Sequence, residues 1–146
     1  MTKVMNEIYG VHAKVYISYG GSLEELGKKL SKALNLSNVW YDNDEDEPYD
    51  SFGNADTLGF LVTFRKSRDS KWPDYNYLFN VYTSDLVMET FHNRMYDFSQ
   101  WMARRTALEY DFVTMAENAD KKTGQSFCWN KSTMKVENSV VMAKDV

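Results

Sequence analysis

VHAKVYISYGGSLEELGKKLSKALNL, residues 11–36, is the stretch whose reading decides the fold of this chain. Ala13, Val15, Ile17 and Tyr19 alternate with His12, Lys14, Tyr16 and Ser18. A period of two in a run rich in valine, isoleucine and tyrosine predicts a half-buried strand. Gly20-Gly21 ends the alternation, and Ser22 with Glu25 three residues on is the S-x-x-E pattern in which hydroxyl and carboxylate satisfy the free amides that open a helix. Leu23, Leu26, Leu30, Ala33 and Leu34 then fall on one helical face, which has to be buried against a sheet. Strand, two-glycine turn and amphipathic helix form a βα unit.

Outward from this unit, Leu58, Phe60, Val62 and Phe64 alternate with Gly59, Leu61, Thr63 and Arg65 in a second strand. It is apolar enough on both faces to be central. Lys66 to Pro73 reads as a polar, basic hairpin connection, and a third strand follows from Tyr75 to Thr83. Ser84 to Tyr96 has no clear period. Asp97 is a good N-cap with Gln100 at the capping-box position, and Phe98, Trp101, Met102, Arg105 and Leu108 recur at helical spacing. Tyr110, Phe112 and Thr114 alternate as a fourth strand. The order β-α-β-β-α-β predicts an α+β, ferredoxin-like fold: a four-stranded antiparallel sheet with both helices on one face. Residues 117–146 form a C-terminal extension, with Gln125 to Trp129 and Met134 to Met142 as a hairpin that extends the sheet or covers its open face. Residues 1–10 read as an arm or short edge strand, 11–116 as the core, and all 146 as one domain.

With 43% hydrophobic and 15% aromatic residues the chain has ample material for one core. A lone cysteine, Cys128, rules out an internal disulfide and a cysteine-rich zinc site. No run approaches the roughly 18 apolar residues of a membrane span, and the first ten residues lack the apolar core of a signal peptide. The expectation is a cytoplasmic protein that binds no membrane. Net charge is −4, unevenly spread. Tyr41 to Asp50 reads YDNDEDEPYD, with the carboxylates of Asp42, Asp44, Glu45, Asp46, Glu47 and Asp50 and no base; without those six the remaining chain carries +2. The acidity is local, and Pro48 and Gly53-Asn54 mark the segment as a loop.

Conventional chemistry is sparse. His12 and His92 have no second ligand at metal spacing, and Cys128 lies between Phe127 and Trp129 as a packed small hydrophobe would. Glu24 and Glu25 in the first turn of the helix disfavour phosphate after Gly20-Gly21. Asp42, Asp44 and Asp46 match the start of a calcium loop, but Glu47 stands where its glycine is required. No catalytic residue, metal or cofactor is expected. Tyr75, Tyr77, Phe79 and Phe60 offer a stacking platform for RNA, yet the chain is acidic, and Arg65, Lys66, Arg68 and Lys71 make only a short basic patch. The strongest candidate surface is therefore the acidic segment with its aromatic flank: Trp40, Tyr41, Asp42, Asp44, Glu45, Asp46, Glu47, Tyr49 and Asp50. Aromatic rings supply anchors at small entropic cost, and carboxylates steer a basic partner.

The strand followed by SLEELGKKLSKALNL, the acidic and tyrosine-rich segment, the entry Ala55-Asp56-Thr57-Leu58-Gly59-Phe60 to a core strand, and DFSQWMARR opening a second helix together resemble small bacterial immunity proteins. These are encoded beside contact-dependent growth-inhibition or other polymorphic toxins. The resemblance spans about residues 11 to 115, is one of pattern, and leaves the tail unmatched. It implies a non-enzymatic inhibitor that binds a cognate toxin domain, often a nuclease with a basic cleft, and itself binds no nucleic acid. Two alternatives remain: a phage or mobile-element inhibitor of a host defence enzyme, and an RNA-binding ferredoxin-like module.

Overall fold

The computed structural model describes residues 10–44, 47–57, 60–83, 95–109 and 112–144. The expected βα unit is present as β1 (Gly10–Ser18) and α1 (Leu23–Leu34). Ser22 caps α1 by accepting from the Glu25 amide at 3.2 Å, and Asn35, in the left-handed conformation at φ 51°, closes it by donating to the Ser31 carbonyl. The capping box is only half made, because the Glu25 carboxylate accepts from the Tyr19 hydroxyl at 3.3 Å.

Four strands follow α1: β2 (Ser37–Asp44), β3 (Glu47–Thr57), β4 (Phe60–Lys66) and β5 (Tyr77–Tyr82). A three-residue β6 (Met95–Asp97) leads into α2 (Ser99–Glu109), and β7 (Val113–Glu117), β8 (Thr123–Asn130) and β9 (Lys135–Met142) complete the chain. The fold is α+β, an open sheet in the order β2-β3-β4-β5-β1-β7-β8-β9 with every pair along that path antiparallel. Each of the four predicted strands contributes, and they lie side by side as β4-β5-β1-β7. The expectation of a four-stranded sheet is corrected: the β2–β3 hairpin widens one side, and the C-terminal hairpin of β8 and β9 extends the other instead of covering a face. Leu58, Gly59, Tyr110 and Asp111, the N-terminal arm at 1–9 and most of the 84–96 segment, with His92, lie outside the described residues.

Alternation along β1 separates two layers. Ala13, Val15 and Ile17 join Phe64, Phe79, Leu26, Leu30 and Ala103 in one core, so both helices cover the same face. Tyr16 points to the other face, where Trp72, Tyr75 and Met115 bury it. The connection between β4 and β5 thus contributes more than a polar turn: Trp72 is 2% exposed beneath the sheet. The stripe read along α2 is buried only in part: Met102 is buried and Phe98 packs against the core, but the rest of it is not the sheet-facing side. Trp101 and Leu108 are 61% and 48% exposed, whereas Met102, Ala103, Thr106 and Ala107 are buried. Small side chains let α2 approach the sheet closely enough for the Thr114 hydroxyl to donate to the Ala103 carbonyl at 2.6 Å. Asp97 does cap α2, accepting from the Ser99 amide at 2.9 Å and from its hydroxyl, but Gln100 donates to Asn118 instead of completing a capping box.

One irregularity positions a surface feature. β6 runs parallel to Gly10–His12 on the side of β1 that β7 occupies from Tyr16 to Ser18. Between them the Lys14 amide donates to the Ser99 hydroxyl at 2.9 Å, so a side chain bridges the interruption in the ladder.

Candidate functional site

The acidic segment is a strand pair and not the loop its composition suggested. Aspartate, asparagine and proline have low strand propensity, so the β2–β3 pairing here runs against local preference. β3 pairs with β4 only from Phe52 to Thr57, whereas β2 and β3 remain paired out to Asp44 and Glu47. The hairpin therefore continues as a two-stranded finger beyond the last pair to the rest of the sheet. Asp44, Glu47, Tyr49 and Asp50 occupy backbone positions on this finger, and Asp42 sits at its base, opposite Phe52, the last β3 residue paired with β4; Glu45 and Asp46 lie outside the described residues. Asp44 and Glu47 are register partners, so two carboxylate-bearing positions face each other across the ladder. From Ser37 to Thr57 the sequence has no lysine or arginine to offset them.

Tyr41 roots the finger. It pairs with Gly53, Gly53 pairs with Phe64, and the Tyr41 ring meets the Phe64 ring edge-on with centroids 6.0 Å apart. A side chain at Gly53 would run into the Phe64 ring, and one at Gly27 of α1 would meet both that ring and the Tyr41 hydroxyl. Burial, and then the nearby Glu24 carboxylate, push the Tyr41 phenol above its ordinary value. Tyr41 keeps 43% of its surface exposed, as does its neighbour Trp40. Two of the expected anchors are thus half accessible at the base of the finger.

A second feature, not anticipated from the sequence, is the notch beside the interrupted ladder of β1. It has a volume of about 340 Å³, and His12, Lys14, Asp97, Ser99, Glu117 and Asn118 help to line it. Alternation of polar residues along β1 was the available signal. The notch's acids are engaged: Asp97 caps α2, and Glu117 Oε2 accepts from both Lys71 Nζ and Trp72 Nε1 at 2.8 Å. That hydrogen bond raises the Lys71 pKa. Beside it, Tyr16 donates to Asp69 at 2.7 Å, and burial, then this bond, push the Tyr16 phenol far up. Burial acts to raise Asp69, but the Tyr16 hydroxyl, the Lys71 amide and the charges of Lys71 and Lys14 outweigh it and hold the carboxyl below its usual range. Among the described residues no buried polar side-chain atom lacks a hydrogen-bond partner, and no cluster of three metal-ligating side chains occurs. This network fastens the 67–76 connection to the sheet.

A third feature is an apolar groove of about 250 Å³ between the helices, lined by Leu34, Leu36, Phe60, Val62, Phe98 and Trp101 among others. The suggested RNA platform does not form: Tyr75, Tyr77 and Phe79 are buried in the two cores. Cys128 is half-buried on β8. No helix among the described residues is long and apolar enough to cross a membrane. In comparisons with protein-family models and with curated proteins, nothing matches this chain.

Proposed function

We propose that this protein is a non-enzymatic inhibitor that binds a basic protein partner through the β2–β3 finger, and that it acts as an immunity protein against a cognate bacterial toxin domain, a nuclease being the best-fitting class. The observation that carries the reading is the finger itself: carboxylate-bearing positions on a stretch of β2–β3 ribbon that runs past the last β3–β4 pair, facing one another at Asp44 and Glu47, with no base between residues 37 and 57. An isolated two-stranded ribbon is marginal in water, and like charges opposite one another weaken it further. A cationic cleft relieves both costs. A nuclease has such a cleft, because it must attract phosphates. Trp40 and Tyr41 supply rings at the base of the finger that a partner can cover.

The supporting core is read as a ferredoxin-like split β-α-β unit, a reading supported by the order β4-β5-β1-β7 and by both helices packing on one face. The test is co-expression with the product of the adjacent gene, followed by affinity capture at low and high salt. One larger, basic protein should co-purify in near-equal amounts, less so at high salt. Reversing Asp42, Asp44 and Glu47 together should slow association about tenfold or more and flatten its salt dependence while the circular dichroism spectrum stays unchanged. Unaltered association would remove the finger from the interface, and failure to capture any partner at either salt would sink the inhibitor reading.

A further inference from the structure

The two outer strands of the sheet are built differently. β2 breaks register between Ser37 and Trp40 and again between Asn43 and Asp44. Such irregularities twist an edge away from intermolecular pairing. β9 has none: all eight residues from Lys135 to Met142 pair with β8 in one unbroken register, without proline. Among the described residues its outer side faces no strand. Met134, Val140 and Met142 are 70%, 64% and 72% exposed.

We infer that β9 is a self-pairing edge: two copies of this chain join antiparallel through it, about a twofold axis at Asn138, so that the sheet runs continuously through the dimer. When a strand pairs with its own copy, outward-pointing amides must meet outward-pointing amides, so the axis passes through a residue and not between two. With the axis at Asn138, Val136 faces Val140 of the second copy, and Met142 reaches the Met134 end of the opposing strand. Asn138 faces Asn138, and their amides can donate to each other. On the other face Glu137 meets Ser139 and Lys135 meets Val141, so no like charges stand directly opposite. Placing the axis at Glu137 would set Glu137 against itself, and placing it at Ser139 would set Val140 against Asn138. On the face that carries Val136, Val140 and Met142, the apolar residues of β9 and the preceding Met134 are thus spaced symmetrically about one position, which is the property a twofold contact requires. Both Val136 and Val141 pack on the protein's own cores, which holds the strand in place for docking.

The contact depends on no reading of the acidic finger. Eight paired residues per copy bury less than the roughly 1,600 Å² of a standard interface, so self-association is expected in the micromolar range or weaker. Sedimentation across about 1 to 500 µM should show the mass moving from 17.0 kDa towards twice that value. Val140→Lys, at an exposed site, should weaken the dimer at least tenfold and leave the circular dichroism spectrum unchanged. Register is tested by cross-linking in a Cys128→Ser background: Cα atoms of facing residues lie about 4.5–5.5 Å apart, within disulfide reach. Asn138→Cys should form a disulfide-linked dimer on mild oxidation, while Glu137→Cys and Ser139→Cys, whose positions face each other and not themselves, should do so much more slowly. A monomer at every concentration, a dimer indifferent to Val140→Lys, or equal cross-linking at 137, 138 and 139 would each overturn the inference.

Discussion

Phe64 is confined from two sides, since the ring occupies the space that side chains at Gly27 and Gly53 would need. Gly53→Ala should therefore cost about 1–3 kcal/mol, the usual penalty of overpacking a fully buried site. In urea denaturation Phe64→Leu should recover part of that loss, whereas two independent sites would simply add. On the opposite face, Tyr16 and Asp69 make a pH-sensitive fastening. Because the folded carboxyl is held below its ordinary 3.8, its contribution is fully present above that value and is lost as pH falls through the lower folded one. Tyr16→Phe removes a hydrogen bond to a charged group and should cost about 1–2 kcal/mol at pH 7. The deficit should shrink as pH falls through the lowered pKa of the folded Asp69 carboxyl, where the acceptor is protonated in wild type as well. A deficit that stayed constant from pH 7 down to the acid limit of the folded state would assign the loss to packing alone.

At the scale of elements, the finger trades stability for charge. Asp44→Asn should raise the stability of the free protein by about 0.2–1 kcal/mol in low salt, since the facing position is Glu47. The same substitution should weaken partner association, so the two effects carry opposite signs, and a thermal melt beside a binding titration checks both. How legible each element is in the sequence follows from the same physics. β1 and α1 can be read because alternation, a glycine pair and a serine cap agree, and they form as expected. β2 and β3 cannot, because aspartates and a proline oppose strand formation locally, whereas the ladder is anchored by tertiary pairing of Phe52–Thr57 with β4 and carried outward by β2–β3 pairing. The buried side of α2 is half hidden for a different reason: Met102 marks it, but alanines and a threonine make up the rest while Trp101 and Leu108 are exposed, so apolar size misleads there. β6 is too short, at three residues, to show any period. Of the candidate site, the position and sign of its charge could be read, and its form as an overhanging ribbon could not.

For the whole molecule, clustered acidity makes self-repulsion a long-range term. Raising ionic strength from about 10 to 150 mM should increase the Tm of the free protein by roughly 1–3 °C, and by less when Asp42, Asp44 and Glu47 are neutralised. Hydrogen exchange should be slowest in β1 and β5, which have a strand on either side and helices above, and faster in β9 and the finger. Equal protection in β5 and the finger would contradict the layered description of the fold. The strand that organises the sheet also imposes a schedule on its synthesis. All the partners of β1 lie in the second half of the chain, from Tyr77 to Met115, and the Ser99 hydroxyl that bridges its ladder arrives 85 residues after Lys14. At about 5–20 residues per second, β1 leaves the ribosome several seconds before any strand that pairs with it. Throughout that interval the apolar face of β1, with Ala13, Val15 and Ile17, is without the strands that flank it. A nascent chain halted just after Lys66 would hold the β2–β3–β4 meander with no central strand to close it, so premature termination there should yield aggregate and not a smaller folded domain.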